Sequence, residues 1–217
     1  MTMGKVDPEF DRSITRAIGH GFPVTSQERA SVTELVMQRV RDLGPIADFR
    51  SLEQLIMVGC DPVSVRQIES LEKLRMLSIE DSALRDISGI ESLPILNFSM
   101  PRDFVADIAP LLHVPTLLQV DVTGNPLSDV SYREVIPKLV EKGCRVQFSQ
   151  ELEWRVTMRL QTAGVGVACY GSARGYRLCR PGLGLTDAPQ YGHPVITKED
   201  AEGLLKGDPE GALRFFS

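Results

Sequence analysis

Residues 74–93 read LRMLSIEDSALRDISGIESL. Leu77 and Ile79 are separated by one residue, so their side chains fall on the same face of a short strand. Behind them Leu84, Ile87, Ile90 and Leu93 recur every three positions, which suits a 3₁₀-like or short helical return with one buried face. The preceding stretch has the same layout. Leu52, Leu55, Met57, Cys60, Val65, Ile68 and Leu71 each stand 22 residues before Leu74, Leu77, Ile79, Ser82, Ile87, Ile90 and Leu93. Further outward, the form apolar-x-x-apolar-x-apolar occurs at Val32/Leu35/Met37, Leu52/Leu55/Met57, Leu74/Leu77/Ile79, Leu93/Leu96/Phe98 and Leu117/Val120/Val122, with starts 20, 22, 19 and 24 residues apart. Strand and return cannot bury their apolar faces alone. Stacked coils do it for each other, which predicts a solenoid with a parallel sheet along one side.

With these residues in view, the segment from Leu74 to Leu93 resembles a leucine-rich repeat of the 22-residue, internalin-like bacterial type, L-x-x-L-x-L-x-x-N-x-L-x-x-I-x-x-I-x-x-L. Phe10-Asp11, Ile14, Ala17-Ile18-Gly19, Val24-Thr25 and Val32-Thr33-x-Leu35 are similar to the helical cap that precedes such arrays. Asn125-Pro126-Leu127-Ser128 through Ile136-Pro137-x-Leu139 to Gly143-Cys144-Arg145-Val146-Gln147-Phe148 resembles their terminal helix-and-strand unit. The resemblance covers about residues 7–149. It implies an α/β fold: a right-handed leucine-rich repeat solenoid with a short parallel sheet and a helical N-cap. Its boundaries are 1–31 for the cap and 32–149 for the array, followed by a small α+β unit over 150–217. The family's asparagine ladder falls on Val40, Cys60, Ser82, Pro101 and Asn125, so only Asn125 keeps the amide. Pro94, Pro101, Pro110 and Pro115 predict a distorted fourth coil.

Residues alternating with the buried leucines point to the concave surface. Glu34, Val36, Ile56, Val58, Met76, Glu80, Ile95, Asn97 and Asp121 are the candidate partner-binding residues. Val36, Ile56, Val58, Met76 and Ile95 form its apolar patch and the others its polar selectivity. Such a patch marks a protein interface, or it is covered by the cap or the C-terminal segment.

After Ser149 the repeat stops. Glu151 to Thr162 reads as an amphipathic helix. Ala163–Tyr170 and Gly175–Cys179 read as a hairpin joined through Gly171–Gly175, and residues 181–185 as a loop. Thr197 followed by Lys198-Glu199-Asp200 caps a helix to about Leu205, and a short one starts at Asp208-Pro209-Glu210. Capping the open end of the array is the expected role of this unit.

The 217 residues are 42% hydrophobic and 24% charged, enough for a core and too apolar for disorder. A net charge of −5 lacks the basic footprint of nucleic-acid binding. No stretch has the length of a membrane span, and no apolar region follows the charged residues Lys5 to Arg12, so the expected compartment is the cytoplasm. Cys60, Cys144, Cys169 and Cys179 lack paired spacing, in keeping with reduced thiols. No cofactor is expected. Gly164-Val-Gly166 and Gly182-Leu-Gly184 lack the rest of a dinucleotide fingerprint, and no H-E-x-x-H, C-x-x-C or G-x-S-x-G motif occurs. Arg155, Arg159, Arg174, Arg177 and Arg180 make a basic run that reads as a solvated face or an anionic-partner surface. The expected function is non-catalytic binding of another protein, as an immunity, antitoxin or adaptor protein. The alternative is an enzyme or metal site in the C-terminal unit using Cys169, Cys179 and His193.

Overall fold

Six short strands, one per coil, lie side by side in chain order. They are β1 (Glu34–Gln38), β2 (Gln54–Val58), β3 (Met76–Glu80), β4 (Asn97–Ser99), β5 (Gln119–Asp121) and β6 (Arg145–Gln147), and every neighbouring pair is parallel. The computed structural model describes residues 6–61, 63–173, 175–182 and 193–216. Leu35, Leu55, Leu77, Phe98, Val120 and Val146 stand in one row across the sheet, and Met37, Met57 and Ile79 begin a second. The chain returns between strands through 3₁₀ turns at Gly44–Asp48, Val65–Gln67, Ile90–Ser92 and Ala109–His113. The last return is a π turn, Ser131–Val135, running into helix α3 (Ile136–Glu141). Ile46, Val65, Ile90, Leu111 and Val135 point inward from these turns and close one continuous core with the strand residues. The chain is a leucine-rich repeat solenoid.

The fourth coil departs from the expected register. Phe98, not Leu96, stands opposite Leu77. The coil therefore reads Ile95-x-x-Phe98-x-Met100, all three side chains being buried, while Leu96 is only half-buried. Ile95 is fully inside, at the place of Leu74 in the previous coil, and leaves the list of concave residues. Side chains alternate with period two, so a slip of two residues keeps Asn97, Phe98 and Ser99 on their expected faces and the local pattern cannot reveal it, whereas Ile95 now precedes the strand and turns inward. With Ile95 as its start, the spacing from positions 32, 52, 74, 95 and 117 becomes 20, 22, 21 and 22, more even than the 19 and 24 of the expected frame. The same slip moves the ladder position from Pro101 to Asp103.

Both ends are covered. Helix α1 (Pro8–Ile18) starts where the Asp7 carboxylate accepts from the backbone N–H of Glu9 and Phe10, with proline at its first position, and ends at Gly19 in the left-handed region. Its Phe10 and Ile14 are fully buried, and the Phe10 ring meets the edge of Phe49 at 6.1 Å. Helix α2 (Ser26–Ser31) is held by a capping box between Thr25 and Glu28.

At the far end α4 (Glu151–Thr162) presents two faces. Trp154 stacks on Tyr132 at 4.1 Å and donates its indole N–H to the Leu127 carbonyl at 2.7 Å, joining the core of the array. Val156 and Leu160 enter a second core with Val167, Cys169, Leu178, Ile196, Leu204 and Phe216. That core lies under an antiparallel sheet of β7 (Ala168–Ser172), β8 (Gly175–Cys179) and β9 (Val195–Ile196), with α5 (Lys198–Lys206) and a 3₁₀ segment, Pro209–Phe216, beside it. The hairpin's first strand begins at Ala168, later than expected, because Gly164 and Gly166 both take positive φ in the turn that brings the chain back along α4, where Thr157 bonds the backbone of Cys169. Most of the expected loop over 181–185 lies outside the described residues.

The new register makes a direct prediction. Ile95→Ala should destabilise the protein by about 2–5 kcal/mol in urea unfolding, as for a core isoleucine. Val36→Thr on the exposed face should stay within about 0.5 kcal/mol. Equal effects would mean that Ile95 is not in the core.

Candidate partner-binding surface

Alternation along each strand sends every second side chain away from the core, and the parallel register lines these up in rows about 4.8 Å apart from strand to strand. One row is Glu34, Gln54, Met76, Asn97, Gln119 and Arg145; the next is Val36, Ile56, Ser78, Ser99, Asp121 and Gln147. A third contains Gln38, Val58 and Glu80. Val36 and Ile56 are direct neighbours, Val58 follows Ile56 two residues along β2, and Met76 lies diagonally beside Ile56 on β3, so the apolar residues cluster on β1–β3. Val36 is 45% exposed, while Ile56, Val58 and Met76 are half-buried by their neighbours in the sheet. Among the described residues, no helix and no strand of the second sheet packs extensively against β2 or β3.

The polar part lies towards β4 and β5. A groove of about 420 Å³ runs from Ile56 and Met76 past Ser78 and Glu80 to Asn97, Ser99, Gln119 and Asp121. Its carboxylates are fixed by their neighbours. Glu80 accepts from the Ser78 hydroxyl at 2.9 Å and from the Arg102 guanidinium at 3.2 Å, and Asp121 accepts from the backbone N–H of Thr123 at 2.9 Å. Beyond the groove, Glu34 accepts from the Gln54 amide at 3.1 Å. Within the three rows the only described cation is Arg145, on the last strand. Of the nine expected residues the sheet thus brings eight onto one face, and Ile95 is in the core.

One edge of this face is built by residues that the sequence did not single out. Arg102, in the turn after β4, donates twice to Asp81, at 3.0 and 3.1 Å, and its guanidinium lies 5.3 Å from the Tyr170 ring on β7. Burial works against that cation, but the bonds and charges of Asp81 and Glu80 outweigh it and hold the guanidinium protonated. The Tyr170 hydroxyl meets His193 Nδ1 at 2.6 Å, and the backbone N–H of Gly182 donates to the Asp81 carbonyl at 2.7 Å. The C-terminal unit is therefore fastened to the turns of the third and fourth coils. No local pattern announces contacts between residues so far apart in the chain.

The alternative chemistry finds poor geometry. In the hairpin Cys169 stands opposite Leu178 and Cys179 opposite Ala168, so the two thiols do not face each other directly. Both are fully buried. Burial pushes the Cys169 thiol up to about 12 and that of Cys179 well above its usual value, which leaves both protonated and weakly nucleophilic. Burial also lowers the pKa of His193. Among the described residues no group of three or more His, Cys, Asp or Glu side chains is placed to hold a metal ion. The basic run does not form one surface. Arg177 donates to the His193 carbonyl at 2.7 Å, Arg180 lies over the Phe216 ring, Arg155 and Arg159 are exposed on α4, and Arg174 is outside the described residues.

No protein-family model matches the chain, and no curated protein matches it. Solved structures similar to it include an internalin, InlF, of Listeria monocytogenes, with 20% identity and a TM-score of 0.48 over 70% of this chain and 53% of that one. Internalin C2 of the same organism gives 15% identity and a TM-score of 0.46, covering 70% and 80%. The functional domain of InlJ, described as including a cysteine ladder, gives 13% and 0.34, covering 70% and 44%. The chain thus spans about half the length of the InlF chain it matches. These likenesses concern the fold alone.

Arg102→Ala should leave the largely buried Asp81 without its cation and cost about 3 kcal/mol in urea unfolding. Arg145→Ala, on the exposed face of the last strand, should stay within about 0.5 kcal/mol. Equal small effects would show that the Arg102 junction is not formed in solution.

Proposed function

We propose that this protein is a non-catalytic interaction module that holds another protein against the concave face of its repeat array. The observation that supports this reading is a sheet face left open by the described residues. Val36, Ile56, Val58 and Met76 form one apolar patch with a polar groove beside it, and among the described residues no element of either end unit packs extensively on β2 or β3. A partner suited to it presents apolar side chains to β1–β3 and hydrogen-bond donors or a cation to Glu34, Glu80, Asn97 and Asp121. Apolar anchors would supply most of the affinity, and the carboxylates register and selectivity. An immunity or antitoxin protein that blocks a cognate toxin, or an adaptor, would use such a face in this way. The buried, protonated thiols favour this reading over catalysis in the C-terminal unit.

Ile56→Asp and Val36→Asp place a charge in the patch, whereas Val140→Asp, on exposed α3, places one away from it. In pull-downs from native lysate, a partner retained by wild type and by Val140→Asp should be lost by both patch variants, at melting temperatures within a few degrees of wild type. A partner kept by all four proteins would place binding elsewhere and contradict the proposal.

A further inference from the structure

One side chain per coil occupies the inner turn after the strand: Val40, Cys60, Ser82, Asp103 and Asn125, all buried. Asn125 fills the position completely. Its carbonyl oxygen accepts from the backbone N–H of Val105 at 3.0 Å, and its amide nitrogen donates to the carbonyls of Met100 at 2.6 Å and Val122 at 3.1 Å. Asp103 holds the same place one coil earlier. Its Oδ1 accepts from the backbone N–H of Ser82 at 2.8 Å and Leu84 at 3.1 Å, the counterpart of what Asn125 does with its oxygen. Its Oδ2 is buried and meets no hydrogen-bond partner among the described residues. Where asparagine carries two donors, an ionised carboxylate carries none, and the nearby carbonyls repel it.

The charges around Asp103 make the ionised form worse. The adjacent turn holds Asp81 and Glu80, and the one guanidinium beside them, Arg102, is bonded to both. From the C-terminal unit the groups facing this region are the Cys179 thiol, held protonated by burial, and Tyr170 bonded to His193. A third carboxylate charge would lie in the core, out of water and without a cation of its own.

We propose that Asp103 is built into the ladder as the neutral carboxylic acid, its Oδ2–H taking the part that the amide N–H plays at Asn125. By register the acceptors are the carbonyls of Ile79 and Met100, the counterparts one coil earlier of Met100 and Val122. Burial, the largest influence, raises the Asp103 pKa well above the usual carboxylate range, and Asp81 adds to it. The two backbone N–H bonds and Arg102 oppose that rise without cancelling it. An unfolded aspartate titrates near 3.9. Because the folded value is raised, this residue's contribution to stability is fully present below about pH 3.9 and is lost as pH rises towards the folded pKa. Across that window folding takes up one proton from solvent, and the folding constant falls by up to about tenfold per pH unit on account of this group. The fourth coil also carries Asn97, Ser99 and the Arg102 junction, so this proton sits in the turn at the edge of the concave face that Arg102 fixes.

Urea unfolding of wild type and Asp103→Asn between pH 5 and pH 8 tests the assignment. The ratio of the variant's folding constant to that of wild type should grow with pH, approaching about tenfold per unit. Profiles that run parallel across the window would overturn the proposal. Should the asparagine variant fail to fold, wild type labelled with ¹³C at its aspartate carboxyls decides the matter. One aspartate carbon should keep the shift of a protonated acid at pH 7, and a spectrum in which every aspartate is ionised would refute it.

Discussion

In this fold, from the second coil onward, each coil's turn has its hydrogen bonding finished by the coil that follows. The turn after a strand leaves backbone N–H groups directed at the next coil, where no water reaches, and such groups are costly if unpaired. Side-chain oxygens from the following coil accept them. Ser82 takes Cys60, Asp103 takes Ser82 and Leu84, Asn125 takes Val105, and Ser149 takes Gly124. The apolar rows of the sheet supply most of the attraction between coils, but apolar contact is not directional. The buried oxygens fix how far one coil sits along the next. That offset in turn aligns the rows of the concave face.

The same requirement explains the ends. A last coil without a successor exposes its core and its turn, and α4 answers both needs. Trp154 covers the core against Tyr132 and bonds the Leu127 carbonyl, while Ser149, just before the helix, accepts from Gly124. The other face of α4 then founds the second core, so the C-terminal unit is anchored through a helix that belongs to both. Its hairpin reaches back to Arg102 and Asp81 at the margin of the sheet. Among the described residues β2 and β3 thus stay open on the concave face while one of its borders is fixed.

Much of this was legible in the sequence. The apolar-x-x-apolar-x-apolar segments mark the strands, because alternation and burial leave a direct imprint on residue type. They also place eight of the nine proposed concave residues on the right face. The fourth coil was misread because Leu96-x-Phe98 and Phe98-x-Met100 are equally good strand cores and a two-residue slip preserves the alternation. The deciding residue was Asp103, 22 positions before Asn125, which looks unsuited to a core position until its oxygen is seen accepting two backbone bonds. The Arg102–Tyr170 junction and the stacking of Tyr132 on Trp154 had no sequence signal, since each joins segments with no common periodicity. What the concave face binds is a matter of complementarity to another surface, which one chain's pattern does not encode.

Hydrogen exchange measured amide by amide tests the central claim, that coil-to-coil acceptance by buried side chains sets the array. The amides of Cys60, Ser82, Leu84, Val105 and Gly124 lie in turns, yet each donates to a buried oxygen of the next coil. They should exchange only through global opening, with the same urea dependence as the strand amides of β2 and β3. Exchange of these five at the rate of the amide of an exposed turn residue such as Lys73, while the strands stay protected, would show that the ladder does not hold the coils together.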